Sequence, residues 1–404
     1  MHKYILCGIL IALVLAIYFS ATEQKEMPIT LNPYIQGMTV AELPSIKYVH
    51  VGSSPMIIDE NDDLWVWGEN IGYPIYQDSK YSDEYFYNPI WKASNVKSAQ
   101  SFASSCLMLK NDRTLWTFGG NVYRLGQGSR SSWGVEPKKI LEGVLQFDMG
   151  SWNAVAVKDD GSLWSWGFQG TRTEHRRLEE DNESWEIYEN YSFHSPQKIM
   201  DDVVYAATGY GTYYVIKIDG SLWAWGSNNH AQLADGTTED RSIEDMWMIM
   251  EDVAEIQATH TGATALKNDG SLWSWGNNYY YYIGVERKLG ENNIVTTPQK
   301  VLENVYSYSV TYDSGAAILD NGSLWIWGGT PLRETEEAPR IHWSEYDVLS
   351  VPREVMQGVV SASSDGAKTL VLKDDGSLMF ASSSGQQEYN DEIARPLVYG
   401  VILP

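Results

Sequence analysis

Metal and redox chemistry in proteins depends largely on histidine and cysteine, and this chain has few of either. Its seven histidines are scattered along 404 residues, and no two of them stand at the spacing of metal ligands. Cys7 lies in an apolar N-terminal run and Cys106 begins another apolar stretch, so no disulfide framework is predicted. The sequence also shows neither a calcium-binding loop nor a phosphate-cradling glycine loop. It therefore predicts no metal and no cofactor.

Carboxylates are abundant. The chain has 53 aspartates and glutamates against 29 lysines and arginines, which gives a net charge of −24 at pH 7. Two suitably placed carboxylates can act as general acid and base in the hydrolysis of a glycosidic bond, but no spacing here singles out a pair. A chain this acidic repels phosphate backbones, and it carries no basic stripe. We therefore predict that it does not bind nucleic acid.

Aromatic residues concentrate in variable segments, where they are suited to binding. Tyrosine and tryptophan make good contact residues because one end of each ring is apolar and the other is polar. The candidate ligand-binding residues are Tyr85, Phe86, Tyr87, Trp185, Tyr279, Tyr280, Tyr281, Tyr282 and Trp343. The competing interpretation is that each ring only packs its own loop against the protein. For the apolar stretch Met246–Met250 we expect a buried strand.

These segments separate the copies of a repeated octet, of which Asp-Gly-Ser-Leu-Trp-Ser-Trp-Gly at 269–276 is a clear example. Seven copies occur at intervals of about 50 residues, and the last copy is degraded. Their leucines are Leu64, Leu115, Leu163, Leu222, Leu272, Leu324 and Leu378. A period of this length is typical of a propeller or a solenoid, in which each repeat is one supersecondary unit.

Each octet predicts a β-hairpin. The Asp-Gly pair favours a tight turn, because glycine adopts positive φ at little steric cost. After it, Leu272 and Ser274 alternate with Trp273 and Trp275, which is the period of a strand. A single hairpin is marginally stable in water, so it needs neighbouring sheets. We therefore expect both indoles of each octet to be buried between stacked sheets.

Between the octets lies a second recurring pattern, a proline arm. In five arms a valine follows the proline seven residues later, at Pro89, Pro137, Pro196, Pro298 and Pro352. Such an arm predicts two further short strands, with proline at a strand start where no ladder donor is lost. Four strands per repeat make a propeller blade. The predicted fold class is therefore an all-β, seven-bladed β-propeller of four-stranded blades, preceded by an N-terminal apolar helix.

The octets, together with the Ala-Leu-Lys and Val-Leu-Lys runs that precede them at 265–267 and 371–373, resemble the repeats of the regulator of chromosome condensation family. The resemblance covers roughly residues 41–404 and implies a seven-bladed propeller. The family's Gly-Gln-Leu-Gly stretch after the octet is eroded here, with remnants at 124–128 and 231–236. A bacterial relative is a secreted inhibitor of β-lactamases that works as a propeller binding surface. The loops of this chain do not match that relative, so no contact residues carry over.

The N-terminus predicts export. Residues 4–21 are almost continuously apolar and follow a short basic start, as in a secretory signal, and they are long enough to span a bilayer. We assign 1–22 as a signal peptide or membrane anchor, 23–42 as a linker and 43–404 as the propeller. Cleavage after Ala21 and an uncleaved anchor both remain open. The C-terminal arm at 396–403 either completes the first blade, clasping the ring, or finishes the seventh.

These features predict a non-enzymatic binding scaffold of a bacterial cell, secreted or anchored to the outer face of the cytoplasmic membrane by residues 4–21. It would recognise a protein, or a glycan, through its loop face, as a monomer that meets the membrane only through the N-terminal segment. One alternative is an enzyme acting on a polysaccharide or peptide with acidic residues in the propeller channel. Another is a guanine-nucleotide exchange factor for a small GTPase, like the founding member of the family, although the leader and the acidic charge argue against it.

Overall fold

The structure is a computed structural model. It describes residues 46–50, 56–66, 90–102, 105–119, 125–128, 134–169, 192–286, 293–328, 349–365, 368–374 and 378–382. These residues form 27 strands and one short 3-10 helix, Ile243–Asp245, in an all-β fold. The predicted N-terminal helix, the linker and the C-terminal arm lie outside the described residues.

The chain divides into two compact units, of which the first holds four antiparallel sheets. Sheet 1 is β1 (Ile46–His50), β2 (Met56–Asp59), β3 (Leu64–Val66) and β4 (Ile90–Ala93). Sheet 2 is β5 (Val96–Phe102), β6 (Ser105–Lys110), β7 (Leu115–Gly119) and β8 (Gly134–Leu141). Sheet 3 is β9 (Val144–Met149), β10 (Asn153–Lys158), β11 (Leu163–Phe168) and β12 (Ser192–Met200). Sheet 4 is β13 (Val203–Thr208), β14 (Thr212–Lys217), β15 (Leu222–Gly226) and β16 (Trp247–Met250).

The second unit holds three antiparallel sheets and the segment His230–Glu239. Sheet 5 is β17 (Val253–Ala258), β18 (Gly262–Lys267), β19 (Leu272–Asn277) and β20 (Ile294–Leu302). Sheet 6 is β21 (Val305–Val310), β22 (Ser314–Leu319), β23 (Leu324–Gly328) and β24 (Leu349–Met356). Sheet 7 has three described strands, β25 (Val359–Asp365), β26 (Lys368–Lys373) and β27 (Leu378–Ser382). Consecutive strands are neighbours in every sheet, which is the topology of a propeller blade.

The octet forms the third strand of each sheet, and in sheets 1, 2, 3, 5 and 6 the proline arm that follows it forms the fourth. In sheet 3, for example, Leu163 of the octet pairs with Met200 at the end of the arm. The valine after the arm then opens the first strand of the next sheet, as Val203 opens β13. The sequence therefore predicted the strands of the repeat correctly.

The turn before each octet strand is held by a chain of side-chain hydrogen bonds. In sheet 4 the carboxylate Oδ1 of Asp219 accepts from the backbone N–H of Ser221 at 2.9 Å and from its hydroxyl at 2.5 Å. The Ser221 hydroxyl oxygen in turn accepts from the indole N–H of Trp223 at 2.8 Å. Gly220 between them has φ of +84°, where a β-carbon would be strained. Sheets 3 and 5 repeat this arrangement, and in sheet 6 the amide oxygen of Asn321 replaces the carboxylate.

The two indoles of an octet differ in burial, so the expectation that both are buried is only half correct. The second indole is fully buried at Trp166, Trp275 and Trp327 and nearly so at Trp225. The first indole is only partly buried at Trp164, Trp223, Trp273 and Trp325. It stands beside the turn, at the end of the sheet, where solvent reaches it. A lysine ammonium covers its exposed face in several sheets, as Lys217 does 4.8 Å from the centre of the Trp223 ring.

The stretch Met246–Met250 corrects a second expectation. It contains a strand, β16, but Trp247 is 41% exposed and Met248 39% exposed. The physical reason is position: β16 is the last strand of its sheet and pairs, among the described strands, only with β15. An apolar sequence alone does not distinguish an edge strand from a central one.

Candidate functional site

In each sheet the first and third strands end at the same end of the sheet. Consecutive strands run antiparallel, so the turn between the first and second strands and the connection between the third and fourth are at the same end. The Asp-Gly turn is at the opposite end. We call the first of these the loop end. Loops on a rigid scaffold are the usual place for binding residues.

In the second unit, three tyrosines meet at the loop end of sheets 5 and 6. The rings of Tyr279 and Tyr280 make an edge-to-face contact with centroids 4.8 Å apart, and Tyr280 makes a second one with Tyr312 at 6.1 Å. Tyr279 is 58% exposed and Tyr312 52% exposed. We call these three residues the tyrosine cluster. Edge-to-face geometry stabilises aromatic pairs beyond their burial, so the cluster is a defined surface.

Two asparagines, the last residue of β19 and the one after it, fix the loop that carries Tyr279 and Tyr280. The side-chain oxygen of Asn277 accepts from the backbone N–H of Tyr279 at 2.9 Å. Asn278 is buried, and its side chain accepts from the N–H of Ile283 at 3.2 Å and donates to the carbonyl of Val285 at 3.2 Å. The loop is thus held by local side-chain-to-backbone bonds of the kind asparagine favours in turns.

Tyr312 stands on a similarly braced turn between β21 and β22. The Thr311 hydroxyl donates to the carboxylate of Asp313 at 2.8 Å, and the Thr311 backbone N–H donates to the carbonyl of Ser314 at 2.8 Å. Asp313 and Ser314 are buried beneath the turn. The sequence analysis did not select Tyr312. The signal was available, because an aromatic ring recurs in this turn at Trp152, Tyr210, His260 and Tyr312.

Tyr281 and Tyr282 complete the predicted tyrosine run but have a different role. Tyr281 has φ of +62°, in the left-handed region, and this turns the chain so that Tyr282 points into the protein. Tyr282 is fully buried; its hydroxyl donates to the carbonyl of Trp275 at 3.4 Å, and burial raises its pKa to about 12. Its own carbonyl accepts from the indole N–H of Trp327 at 2.6 Å. Tyr282 is therefore part of the core.

Glycines make room for these buried rings. A β-carbon on Gly262 would stand 2.1 Å from the hydroxyl oxygen of Tyr282, and one on Gly315 would stand 2.2 Å from the ring of Trp327. Both distances are far below a permitted contact, so the second strands of sheets 5 and 6 need glycine there.

The first unit has its own aromatic group at the loop end, which the sequence analysis also missed. The ring of Trp152, in the first turn of sheet 3, lies 3.7 Å from the ring of Tyr210, in the first turn of sheet 4. Trp152 also makes an edge contact with Phe168 at 5.8 Å. The remaining predicted residues, Tyr85, Phe86, Tyr87, Trp185 and Trp343, lie outside the described residues.

Buried carboxylates on the first strands of two sheets are used in hydrogen bonds of the fold. In the first unit Asp148 of β9 accepts from the N–H of Thr208 at 2.8 Å and from the side-chain amide of Gln100 at 3.0 Å. In the second unit Glu255 of β17 accepts from the side-chain amide of Gln257 at 3.0 Å. Burial raises the pKa of both acids. Each is engaged in hydrogen bonds that join or brace first strands, which is a structural use.

Metal and thiol chemistry find no more support in the part of the chain that the structure describes. It contains no group of three or more histidine, cysteine, aspartate or glutamate side chains placed to hold a metal ion. Cys106 is buried, and burial raises the pKa of its thiol, which disfavours the reactive thiolate. The described residues also include no helix long and apolar enough to cross a membrane.

Comparisons by sequence find matches that cover about a third of this chain. No protein-family model matches the chain. Human E3 ubiquitin-protein ligase HERC2 is 29% identical over 141 residues, 33% of this chain and 3% of HERC2. The Arabidopsis thaliana mitochondrial RCC1 domain-containing protein RUG3 is 29% identical over 133 residues, 31% of this chain and 28% of RUG3. The chain thus matches less than a third of the length of either relative.

Comparisons by structure cover most of the chain. Yeast RCC1 (Prp20), solved bound to Kap60, matches 90% of this chain and 86% of its own with a TM-score of 0.61 and 16% identity. Prp20p of Saccharomyces cerevisiae, whose structure was reported with its binding to Gsp1p and histones, matches 83% and 82% with a TM-score of 0.60 and 17% identity. Human WBSCR16 matches 73% and 79% with a TM-score of 0.54 and 18% identity. At these identities the likeness is one of fold.

Proposed function

We propose that this chain, which is an RCC1-like repeat protein with a β-propeller fold, is a non-enzymatic scaffold that binds another protein through the loop end of its sheets. The observation that carries the proposal is the tyrosine cluster. The rings of Tyr279 and Tyr312 are exposed, yet the loop and the turn beneath them are braced by buried and partly buried hydrogen bonds. Such a surface loses little conformational freedom when it binds, which favours affinity.

A protein partner is favoured over a glycan. Edge-to-face packing presents Tyr279 and Tyr280 at different angles, whereas stacking of a sugar ring needs an open ring face. Tyrosine is enriched at the centre of protein interfaces, where it contributes a large contact area and a hydrogen-bonding hydroxyl. Yeast Prp20p, a protein of the same fold, was described with its protein partners Gsp1p and histones.

We also propose that the scaffold works outside the cytoplasm. The support is in the sequence, in the apolar run at residues 4–21 with its basic start. Residues 4–21 either form a cleaved signal or remain as an anchor.

The test is a comparison of variants of the full chain as bait against surface and culture fractions. Tyr279→Ala/Tyr280→Ala should leave the melting temperature close to wild type, since Tyr279 is mostly exposed, and should abolish retention of the partner. Tyr306→Ala is the matched control: Tyr306 is a 44% exposed tyrosine of sheet 6 that lies on β21, away from the loop end. A protein retained by wild type and by the control, but not by the double variant, supports the proposal.

Three other results would contradict it. One is a retained protein that does not respond to the double variant. Another is turnover of a glycan or peptide panel by the purified chain, which would support the enzyme with acidic residues in its channel. The third is acceleration of nucleotide release from a small GTPase, the alternative suggested by the structural likeness to Prp20p.

A further inference from the structure

The outer edges of the sheets differ in one place. Six sheets have a described fourth strand. In five of them the fourth strand contains a lysine or arginine, and a proline stands in the strand or directly before it. These pairs are Pro89 and Lys92, Pro137 and Lys139, Pro196 and Lys198, Pro298 and Lys300, and Pro352 and Arg353. Proline and positive charge on an edge strand are the usual protection against pairing with another chain. The sixth fourth strand, β16, has neither.

The register shows what replaces them. Lys198 lies opposite Trp164 in sheet 3 and Lys300 lies opposite Trp273 in sheet 5, but in sheet 4 the residue opposite Trp223 is Met248. The residue before it is Trp247 in place of glutamine. Trp247 is 41% exposed and Met248 39% exposed. The edge of sheet 4 is therefore apolar at the position where the edges of sheets 2, 3 and 5 carry a lysine. From outside β16, the Arg241 guanidinium lies 5.3 Å from the centre of the Trp247 ring.

Acidic residues lie at both ends of β16, and the strand itself contains no lysine or arginine that could pair with them. In the arms of sheets 3 and 5 the lysine pairs with an acid three residues later: Lys198 with Asp201 at 2.7 Å and Lys300 with Glu303 at 2.7 Å. The corresponding acid after β16 is Glu251, and the residue three before it is Met248. Glu244 and Asp245 are exposed at the other end of the strand. An apolar centre thus lies between two acidic ends.

From this edge we infer a second binding site, in which β16 adds to its sheet an extended segment of a partner protein with an apolar centre and lysine or arginine at both ends. Backbone hydrogen bonds along the edge supply affinity in this mode, and side chains supply specificity. Met248 and the face of Trp247 that Arg241 leaves open would pack against the apolar centre, and the acidic ends would attract the basic flanks. The site is separate from the tyrosine cluster and does not depend on it.

A second copy of this chain fits the edge poorly. Two β16 strands paired antiparallel about their centre would bring Glu251 of one copy close to Asp245 of the other, twice in each pair. Like charges across strands are destabilising, and each copy carries a net charge of −24. A basic-flanked segment removes both penalties.

The test measures binding of a fluorescein-labelled peptide, Lys-Lys-Val-Thr-Val-Thr-Val-Lys-Lys, to the full chain by fluorescence anisotropy. Binding should weaken by about tenfold or more when glutamate replaces the flanking lysines, and similarly when alternate backbone nitrogens on the pairing edge are methylated. These peptide controls use the wild-type chain, so they hold even if a variant folds poorly. No binding, or equal binding of all three peptides, would overturn the proposal.

The variant Trp247→Gln/Met248→Lys gives β16 the Gln-Lys pair of the arm in sheet 3 and should lower affinity by about tenfold or more. Gln197→Ala/Lys198→Ala in β12 is the control and should bind as wild type does. If the β16 variant bound the peptide as tightly as wild type does, the result would count against the site. So would a concentration-dependent dimer of the wild-type chain, seen by light scattering, that the variant abolishes. The tyrosine-cluster variant Tyr279→Ala/Tyr280→Ala should bind the peptide normally, so the two proposals fail independently.

Discussion

Asp148 joins the first strands of sheets 2, 3 and 4 through hydrogen bonds. Its carboxylate is buried there, which makes the stability of the fold depend on pH. It receives hydrogen bonds from the backbone of Thr208 and the side chain of Gln100, which favour the charged carboxylate. Burial acts in the other direction and dominates, so its pKa is raised. The folded protein therefore holds this proton at a pH where the unfolded chain has lost it. This contribution makes the folded state less stable as pH rises from about 3.8 through the folded pKa.

We predict that Asp148→Asn stabilises the protein at neutral pH. Asparagine keeps an oxygen to accept from Thr208. Its N–H replaces the oxygen that accepts from Gln100 Nε2, so the Gln100 amide turns over and presents its Oε1, which is buried without a hydrogen-bond partner among the described residues, as the acceptor. The variant also removes a desolvated charge, and a gain of about 1 kcal/mol in the free energy of unfolding is expected near pH 7. The gain should shrink as pH falls through the folded pKa and below about 3.8, where the aspartate becomes protonated in both states.

Denaturant unfolding of the two proteins at both pH values checks this. The exposed Asp201→Asn is the control and should show a smaller effect near pH 7. A loss of stability in Asp148→Asn, or a gain that does not change with pH, would show that the hydrogen bonds outweigh burial.

The tyrosine run shows where sequence reasoning stops at the scale of single residues. Tyr279 and Tyr282 are the same residue type three positions apart, yet one is exposed and the other is fully buried. The difference is caused by the left-handed conformation of Tyr281 and by the asparagine bonds that hold the loop. Neither the left-handed residue nor the asparagine bonds produce the period of a strand or a helix. Sequence patterns could therefore select the segment but not the residues in it that face solvent.

At the scale of the element, the turn before each octet strand links an aspartate, a serine and a partly buried indole through hydrogen bonds, as at Asp219, Ser221 and Trp223. The hydrogen bonds from Ser221 hold the pKa of Asp219 below its usual value of 3.8. A lowered pKa in the folded state means that the carboxylate stabilises the protein above the unfolded value. That contribution is lost as pH falls through the folded value.

We predict that Ser221→Ala raises the pKa of Asp219 towards 3.8, frees the Trp223 indole N–H and lowers the melting temperature near pH 7. The difference from wild type should narrow as pH falls through the lowered pKa of Asp219, because the aspartate then becomes neutral in both proteins. NMR titration of the aspartate and thermal unfolding measure the two effects. Thr237→Ala is a matched control, since Thr237 caps Asp235 in the same way with no indole attached. An unchanged Asp219 pKa would contradict the role given to the serine.

The elements themselves were largely predictable, and the exceptions have a common cause. Strands, turns and the four-strand repeat depend on local pattern, and the sequence analysis found them. The partial burial of Trp223 and the exposure of Trp247 depend on where a residue lies within its sheet, beside a turn or on an outer edge. Local pattern does not specify that position. Only comparison among the repeats does so, as the missing proline and lysine of β16 illustrate.

At the scale of the whole molecule, repetition allows a fold to be predicted while the partner remains open. Seven octets constrain the architecture, whereas a binding surface is formed by the segments that do not repeat. The antiparallel order of the strands places the described non-repeating segments at the loop end of their sheets. That placement follows from the sequence. The charge of −24 adds that a partner is better matched when it is basic.

The last prediction concerns export. Residues 1–45 fused to alkaline phosphatase, which is active only where its disulfides form, should give active enzyme in a bacterial host, because the apolar run at 4–21 directs the fusion across the membrane. Leu10→Arg/Leu13→Arg should abolish the activity, since each arginine costs about 2.5–3.5 kcal/mol at the centre of an inserted segment. The mass of the chain recovered from membranes or medium then shows whether it was cut after Ala21. An inactive wild-type fusion would place the scaffold in the cytoplasm and restrict its partners to proteins found there.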